Sequence, residues 1–239
     1  LAVEILSDVN VNNIASPIII FEKSYYQEKM GLMKEAENSI LSLIANPSFK
    51  QESMLSLASF YVRQKRYIES LKIYNELILE KKVSSEVYYF RAIALVQTEQ
   101  WNYAFNALDQ LLEKIPNNPE VLNFCGYTFV DQNIRLNEGL KLIEKAVEID
   151  PKNGFYIDSL GWANYKVGNM NNAILYLERA VELEPNEIEI SDHLGDAYWS
   201  NGRKKEAFLL WKRSLFLEGS EHLKEKIKQK LLENKIKYD

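Results

Sequence analysis

Residues 155–184 hold two apolar stripes at helical spacing, one over 155–167 and one over 170–184, with the polar turn Gly168-Asn169 between them. Leu160 lies on the first stripe, Leu177 and Val181 on the second. The pattern predicts a helical hairpin. Neither helix can bury its stripe alone, so further hairpins must stack against it. The chain supplies one. DSLGWANYKVGNMNNA, beginning at Asp158, returns as DHLGDAYWSNGRKKEA at Asp192, 34 residues later.

Carried along the chain, this frame gives six repeats: 17–50, 51–84, 85–118, 119–153, 154–187 and 188–221. All are 34 residues long except 119–153, which has one extra residue near QNIRLN. The eighth position is Ser24, Ala58, Ala92, Gly126, Gly161 and Gly195. The residue opening the second half is Ala36, Ser70, Ala104, Gly139, Ala173 and Ala207. Every one is small, as helix axes approaching to about 8 Å require at their crossing. The connectors agree. Asn118-Pro119 and Ser16-Pro17 set a capping side chain before a proline at the first helical position. Pro116, Pro151 and Pro185 fall where second helices should stop. The predicted fold is all-α, a solenoid of antiparallel helix pairs.

Repeat 154–187 carries Gly161, Ala173, Ala180 and Pro185 at its positions 8, 20, 27 and 32, and in this it resembles the tetratricopeptide repeat. The resemblance covers nearly the whole chain and is tightest in the last three repeats. In 188–221, Ser214 and Gly219 replace the Ala and Pro, as suits the end of an array. The resemblance implies a right-handed superhelix whose first helices line a concave surface.

The register also reaches both ends. Ala2 stands one period before Ala36 and Leu6 one before Ile40, so 1–16 is expected to be the second helix of a truncated preceding repeat, within a longer array. Residues 222–239 keep Leu223, Ile227 and Leu231 on an otherwise charged helix, which is expected to cap the last repeat. A membrane-surface or partner-docking role for its Lys-rich face is the alternative.

Composition narrows the chemistry. Of 239 residues 46% are hydrophobic, enough for a buried core, and nine Gly with six Pro leave little room for long loops. A formal charge of -5 argues against phosphate-backbone binding, so no nucleic acid is expected as partner. No apolar run reaches the roughly 18 residues of a membrane helix. Cys125, the single cysteine, lies in an apolar run and reads as core. Of the two histidines, His193 stands beside Asp192 and Asp196, but it points about 100° away from Asp192 on a helix. A satisfied surface or semi-buried histidine is expected there rather than a metal ligand. No phosphate loop, nucleophile elbow or HExxH motif occurs, so neither cofactor nor catalysis is expected.

In solenoids of the resembled family, positions 2, 5, 9 and 12 of the first helix face the ligand. The candidate residues implied here are Phe21, Tyr25, Tyr89, Ile93, Asn123, Tyr127, Asp158, Trp162, Tyr165, Asp192, Asp196 and Trp199. The face is apolar and aromatic in the first four repeats and acidic with aromatics in the last two. A carboxylate clamp, which needs Lys at position 5 and Asn at position 9, is disfavoured. Like charges on helices roughly 10 Å apart repel by about 0.8 kcal/mol at an effective dielectric near 40. The three aspartates should therefore select a basic partner segment, held on a platform of Trp162, Tyr165 and Trp199. The alternative is that the aromatics pack between helices and the aspartates only suit helix N-termini.

Residues 158–185 with 192–215 are also similar to the C-terminal repeats of bacterial envelope proteins of this family, some of which act as protease adaptors. Lys outnumbers Arg 22 to 7, a usage that AT-rich bacterial genomes favour. The expectation is a non-enzymatic protein-interaction scaffold binding a peptide or helix, leaning to the bacterial periplasm or envelope, with the cytoplasm as alternative. The other classes are a regulatory module of a longer enzyme and an RNA-binding solenoid.

Overall fold

The computed structural model describes residues 17–80 and 83–233. Residues 1–16, expected to belong to a preceding repeat, lie outside the described residues, as do 234–239 of the expected cap. Among the described residues the chain forms thirteen α-helices and no strand. It divides into two compact units after Lys114. The first holds the hairpins α1 (Pro17–Lys29) with α2 (Met33–Ile44), α3 (Lys50–Arg63) with α4 (Tyr67–Leu77), and α5 (Ser85–Gln97) with α6 (Trp101–Lys114). The second holds α7 (Pro119–Asp131) with α8 (Leu136–Ile149), α9 (Gly154–Lys166) with α10 (Met170–Leu183), and α11 (Ile188–Ser200) with α12 (Lys204–Ser214), followed by α13 (Glu221–Glu233).

Within each unit the apolar stripes meet between neighbouring hairpins rather than at one centre. Ala36 and Ile40 of α2 pack with Leu57, Phe60 and Tyr61 of α3. Val130 and Ile143 of α7 and α8 pack with Leu160, Trp162 and Ala163 of α9. Ile174 and Leu177 of α10 meet Leu194 and Ala197 of α11. Each hairpin therefore completes its neighbour's core, as the sequence pattern requires. Cys125 is buried among them.

All twelve small positions are buried. At several of them the facing helix comes too close for a larger side chain. The Ser24 hydroxyl donates to the Ala36 carbonyl at 3.0 Å. A Cβ on Gly126 would stand 2.7 Å from the Gly139 carbonyl oxygen, and one on Gly139 would stand 2.7 Å from that of Gly126. At Gly195 the obstacle is the Trp211 indole, 2.2 Å away.

Every first helix ends in the same way. Residues 31, 65, 99, 133, 168 and 202 take positive φ, and the N–H after each bonds back to the carbonyl five residues earlier, as Leu32 does to Gln27 at 2.9 Å and Arg203 to Tyr198 at 2.9 Å. This left-handed closure reverses the chain within two residues. Glycine supplies it at 31, 168 and 202, whereas Lys65, Glu99 and Asn133 adopt it with side chains. The extra residue of 119–153 is taken up by a second left-handed residue, Arg135. Helix starts follow the caps: Asn118 Oδ1 accepts from the Val121 N–H at 3.0 Å, and Asn153 Oδ1 from Phe155 and Tyr156. Helices α8 and α10 stop two residues before Pro151 and Pro185.

Two substitutions separate the packing constraint from the turn constraint. Gly126→Val should lower stability by about 1–3 kcal/mol, because the opposing atom is a backbone oxygen that cannot turn aside. Lys65→Gly should raise it by up to about 1 kcal/mol, since strain at positive φ outweighs the extra entropy of glycine. Melting midpoints of the two variants should fall on opposite sides of the wild type.

Candidate functional site

The expected ligand-facing residues fall in both units. In the first, Phe21 is half-buried against the α2–α3 core, and Tyr25 is exposed, edge-on to Tyr26 at 5.8 Å. Tyr89 and Ile93 are half-buried on α5, with Tyr89 edge-on to Phe90 at 5.4 Å. No charged side chain is buried among the described residues of this unit.

The second unit differs. Every buried Asp, Glu, His, Lys or Arg among the described residues lies on α9 or α11: Asp158, Asp192 and His193. Ser159, Asn164 and Ser191 are buried on the same two helices. Their partners α10 and α12 bury Ala, Ile, Leu, Trp and one Ser. The first-helix positions thus carry the polar residues, and the second helices supply apolar support.

His193 is the centre of one group. Its Nδ1 lies 3.0 Å from both oxygens of Asp158, on the neighbouring first helix. Its ring stacks on Trp162 with centroids 4.3 Å apart, and Trp162 in turn stacks on Tyr165 at 4.9 Å. Tyr127 stands at 6.4 Å from the imidazole and donates to Glu189 at 3.2 Å. Burial, reinforced by Glu189, Asp131 and Asp158, raises the Tyr127 phenol far above its ordinary value, so it remains a donor. Burial opposes a charged His193, but Asp158, Glu189 and Asp192 outweigh it and hold the imidazole above its ordinary value of 6.5.

Lys230 is the centre of the other. This residue of α13 donates to Asp192 Oδ1 at 2.6 Å and to both oxygens of Asp196 at 2.7 Å. Burial and the neighbouring Asp192 still hold the Asp196 carboxyl above its ordinary value, against the pull of Lys230 and His193. Trp199 leans on Trp211 at 5.5 Å with Lys204 Nζ over its ring at 4.9 Å.

Three expectations are corrected by this geometry. Trp162 is not an open platform; it is buried and stacked against both His193 and Tyr165. The aspartates are not free to meet a partner alone, because a histidine and a lysine of the same chain already pair with them. His193, expected as a satisfied surface or semi-buried residue, is satisfied by Asp158 but lies deeper, in the buried class. Tyr127 on α7 and Tyr165 on α9 are half-buried beside this group, and Asn123 is half-buried one helical turn before Tyr127. The Asn123 Oδ1 and the Trp162 indole N–H are buried without a hydrogen-bond partner. Among the described residues no three His, Cys, Asp or Glu side chains converge as a metal would need, and no helix is long and apolar enough to cross a membrane.

The sequence frame missed His193 and Lys230, although a spacing signal existed. His193 lies 35 residues after Asp158, and Lys230 lies 34 after Asp196, one repeat on in each case.

The raised value of His193 carries a sign. Relative to the unfolded chain, the folded state binds the proton more tightly. The pair therefore contributes stability that is complete below about pH 6.5 and is lost as pH rises through the higher folded value. Melting temperature measured from pH 6 to 9 should fall less steeply for His193→Gln than for the wild type. The slope removed should be at most about 1.4 kcal/mol per pH unit. Parallel curves would mean that His193 does not titrate with folding.

Comparison with known proteins gives the same fold. The family model for the tetratricopeptide repeat matches residues 158–187. A TPR repeat-containing protein of Pseudomonas aeruginosa is 36% identical over 63 residues, which is 26% of this chain and 11% of that protein. A tetratricopeptide repeat protein from Parabacteroides merdae superposes with a TM-score of 0.75 at 19% identity, over 91% of this chain and 88% of that one. YrrB, described as a TPR protein with an unusual peptide-binding site, superposes with a TM-score of 0.61 at 17% identity, over 79% and 96%. With hairpins stacking at the 34-residue period, the chain has the tetratricopeptide-repeat fold, and residues 158–187 match the repeat's family model.

Proposed function

We propose that this chain is a non-enzymatic protein-interaction scaffold that takes a peptide or helix of a partner on the first-helix face of α7, α9 and α11. One observation carries the reading: all the buried charge among the described residues is gathered on α9 and α11. Burying ionised groups costs free energy that an apolar solenoid would not incur, and departures of this kind mark functional surfaces. YrrB, of the same fold, is described as having a peptide-binding site.

The charge balance favours a basic partner. Asp158, Asp192 and Asp196 are met by His193 and Lys230, and Glu189 stands beside Tyr127, so negative charge is left over even with the imidazole protonated. Tyr127, Tyr165 and Trp199 provide the half-buried aromatic contacts beside it, and Asn123 the polar one. Phe21, Tyr25, Tyr89 and Ile93 would serve a separate, uncharged contact area in the first unit. Work in envelope assembly or as a protease adaptor is the finer form of this reading, and it rests on the likeness of 158–215 alone.

The test is a peptide array probed with the full chain, followed by solution titration of the peptides retained. Peptides rich in Lys, Arg and aromatics should bind, with affinity falling as salt rises. Asn123→Ala and Tyr165→Ala should each weaken binding at least tenfold while helicity is retained. Binding that is indifferent to both substitutions, or no peptide retained, would refute the reading.

A further inference from the structure

Helix α13 is lightly attached for a helix that covers buried carboxylates. Ile227 is its one buried side chain, inserted with Ile188, Ala207 and Trp211. Leu223 and Leu231 are half-buried on the same cluster, and Leu232 is exposed. The other firm hold is Lys230, whose amine meets three carboxylate oxygens within 2.7 Å and whose ring neighbour is Trp211 at 5.6 Å. The anchor pattern is simple: an aliphatic residue, then a cation three positions later on the same helix face.

We propose that α13 is a displaceable occupant, in cis, of a helix-docking surface made by Ile188, Trp199, Trp211, Asp192 and Asp196. That surface takes in trans an amphipathic helix of a partner protein carrying Lys or Arg three residues after an aliphatic anchor. This rests on the scaffold reading and adds to it a partner class and a gate. Two carboxylates, one of them almost wholly enclosed, face one ammonium, so the seat holds more negative charge than its occupant neutralises. The guanidinium fork of an arginine can engage both carboxylates at once, which an ammonium does as a point charge. An Arg-bearing partner helix therefore has an advantage over the resident lysine. Trp199 and Trp211 supply the flat apolar floor that aliphatic anchors need.

The probe is a labelled synthetic peptide of residues 221–233, EHLKEKIKQKLLE, and the same peptide with Arg in place of Lys230. Both are titrated into the full chain, wild type and Ile227→Asp/Lys230→Glu, which undocks α13. The peptide should bind the double variant at least tenfold more tightly than the wild type, the Arg form more tightly again. Adding Asp192→Asn/Asp196→Asn should abolish the gain. A folded double variant that binds the peptide no better than the wild type overturns the proposal. Should that variant lose its fold, hydrogen exchange on the wild type decides. Amides of α13 are expected to exchange at least tenfold faster than those of α11, and equal protection overturns the proposal. These outcomes do not depend on Asn123 or Tyr165, so the peptide-array result can fail while this one stands.

Discussion

Everything in this fold depends on how closely paired helices approach. At Gly126 and Gly139 each glycine faces the other's carbonyl with no space for a single carbon, and Ser24 bonds directly to the backbone of Ala36. Such contacts fix the distance between the helices of a hairpin, and the next hairpin inherits it. Successive first helices then present side chains one repeat apart to one another. Arg63 meets Glu28, Tyr165 meets Ser200, and Lys230 meets Asp196, at separations of 35, 35 and 34 residues. The spacing along the sequence becomes a spacing in space.

That regularity lets the last repeats do something the first do not. Unit one buries Ser24, Gln27, Ser53 and Ser70, all uncharged. Unit two places Asp158, Asp192 and His193 where apolar residues would hold the stack at lower cost. The charges are tolerated because each finds a partner on the neighbouring helix, Asp158 with His193 and Asp192 with Lys230. The held-up carboxyl of Asp196 shows that compensation is incomplete. The proposed recognition of a basic partner rests on this arrangement.

Most of the fold could be read from the sequence, because its determinants are local and repeated. Small residues at two fixed positions, prolines after second helices and Asn118 before Pro119 each act within one hairpin. The turn at 99 or 133 was harder to read, since Glu99 and Asn133 take a backbone conformation that glycine marks openly at 168 and 202. The site was legible as a set of positions but not as a set of pairs. Asp158, Asp192 and Asp196 were identifiable from their place on the first helices, whereas their partners depend on which rotamers the packing permits. Trp162 reads from its position as an exposed platform, yet the imidazole of His193 covers it, because residue 6 of one first helix reaches residue 5 of the helix before. Lys230 lies past the last full repeat, and only its 34-residue spacing from Asp196 ties it to the frame.

The claim that side chains one repeat apart are coupled through stacked first helices is tested most directly at Asp158 and His193. A double-mutant cycle with Asp158→Asn and His193→Gln, run at pH 6, measures their interaction in the folded chain. Contact between the two predicts a coupling of about 0.5–3 kcal/mol. Losses that add to within about 0.3 kcal/mol would mean the residues do not meet, and the stacking described here would be wrong.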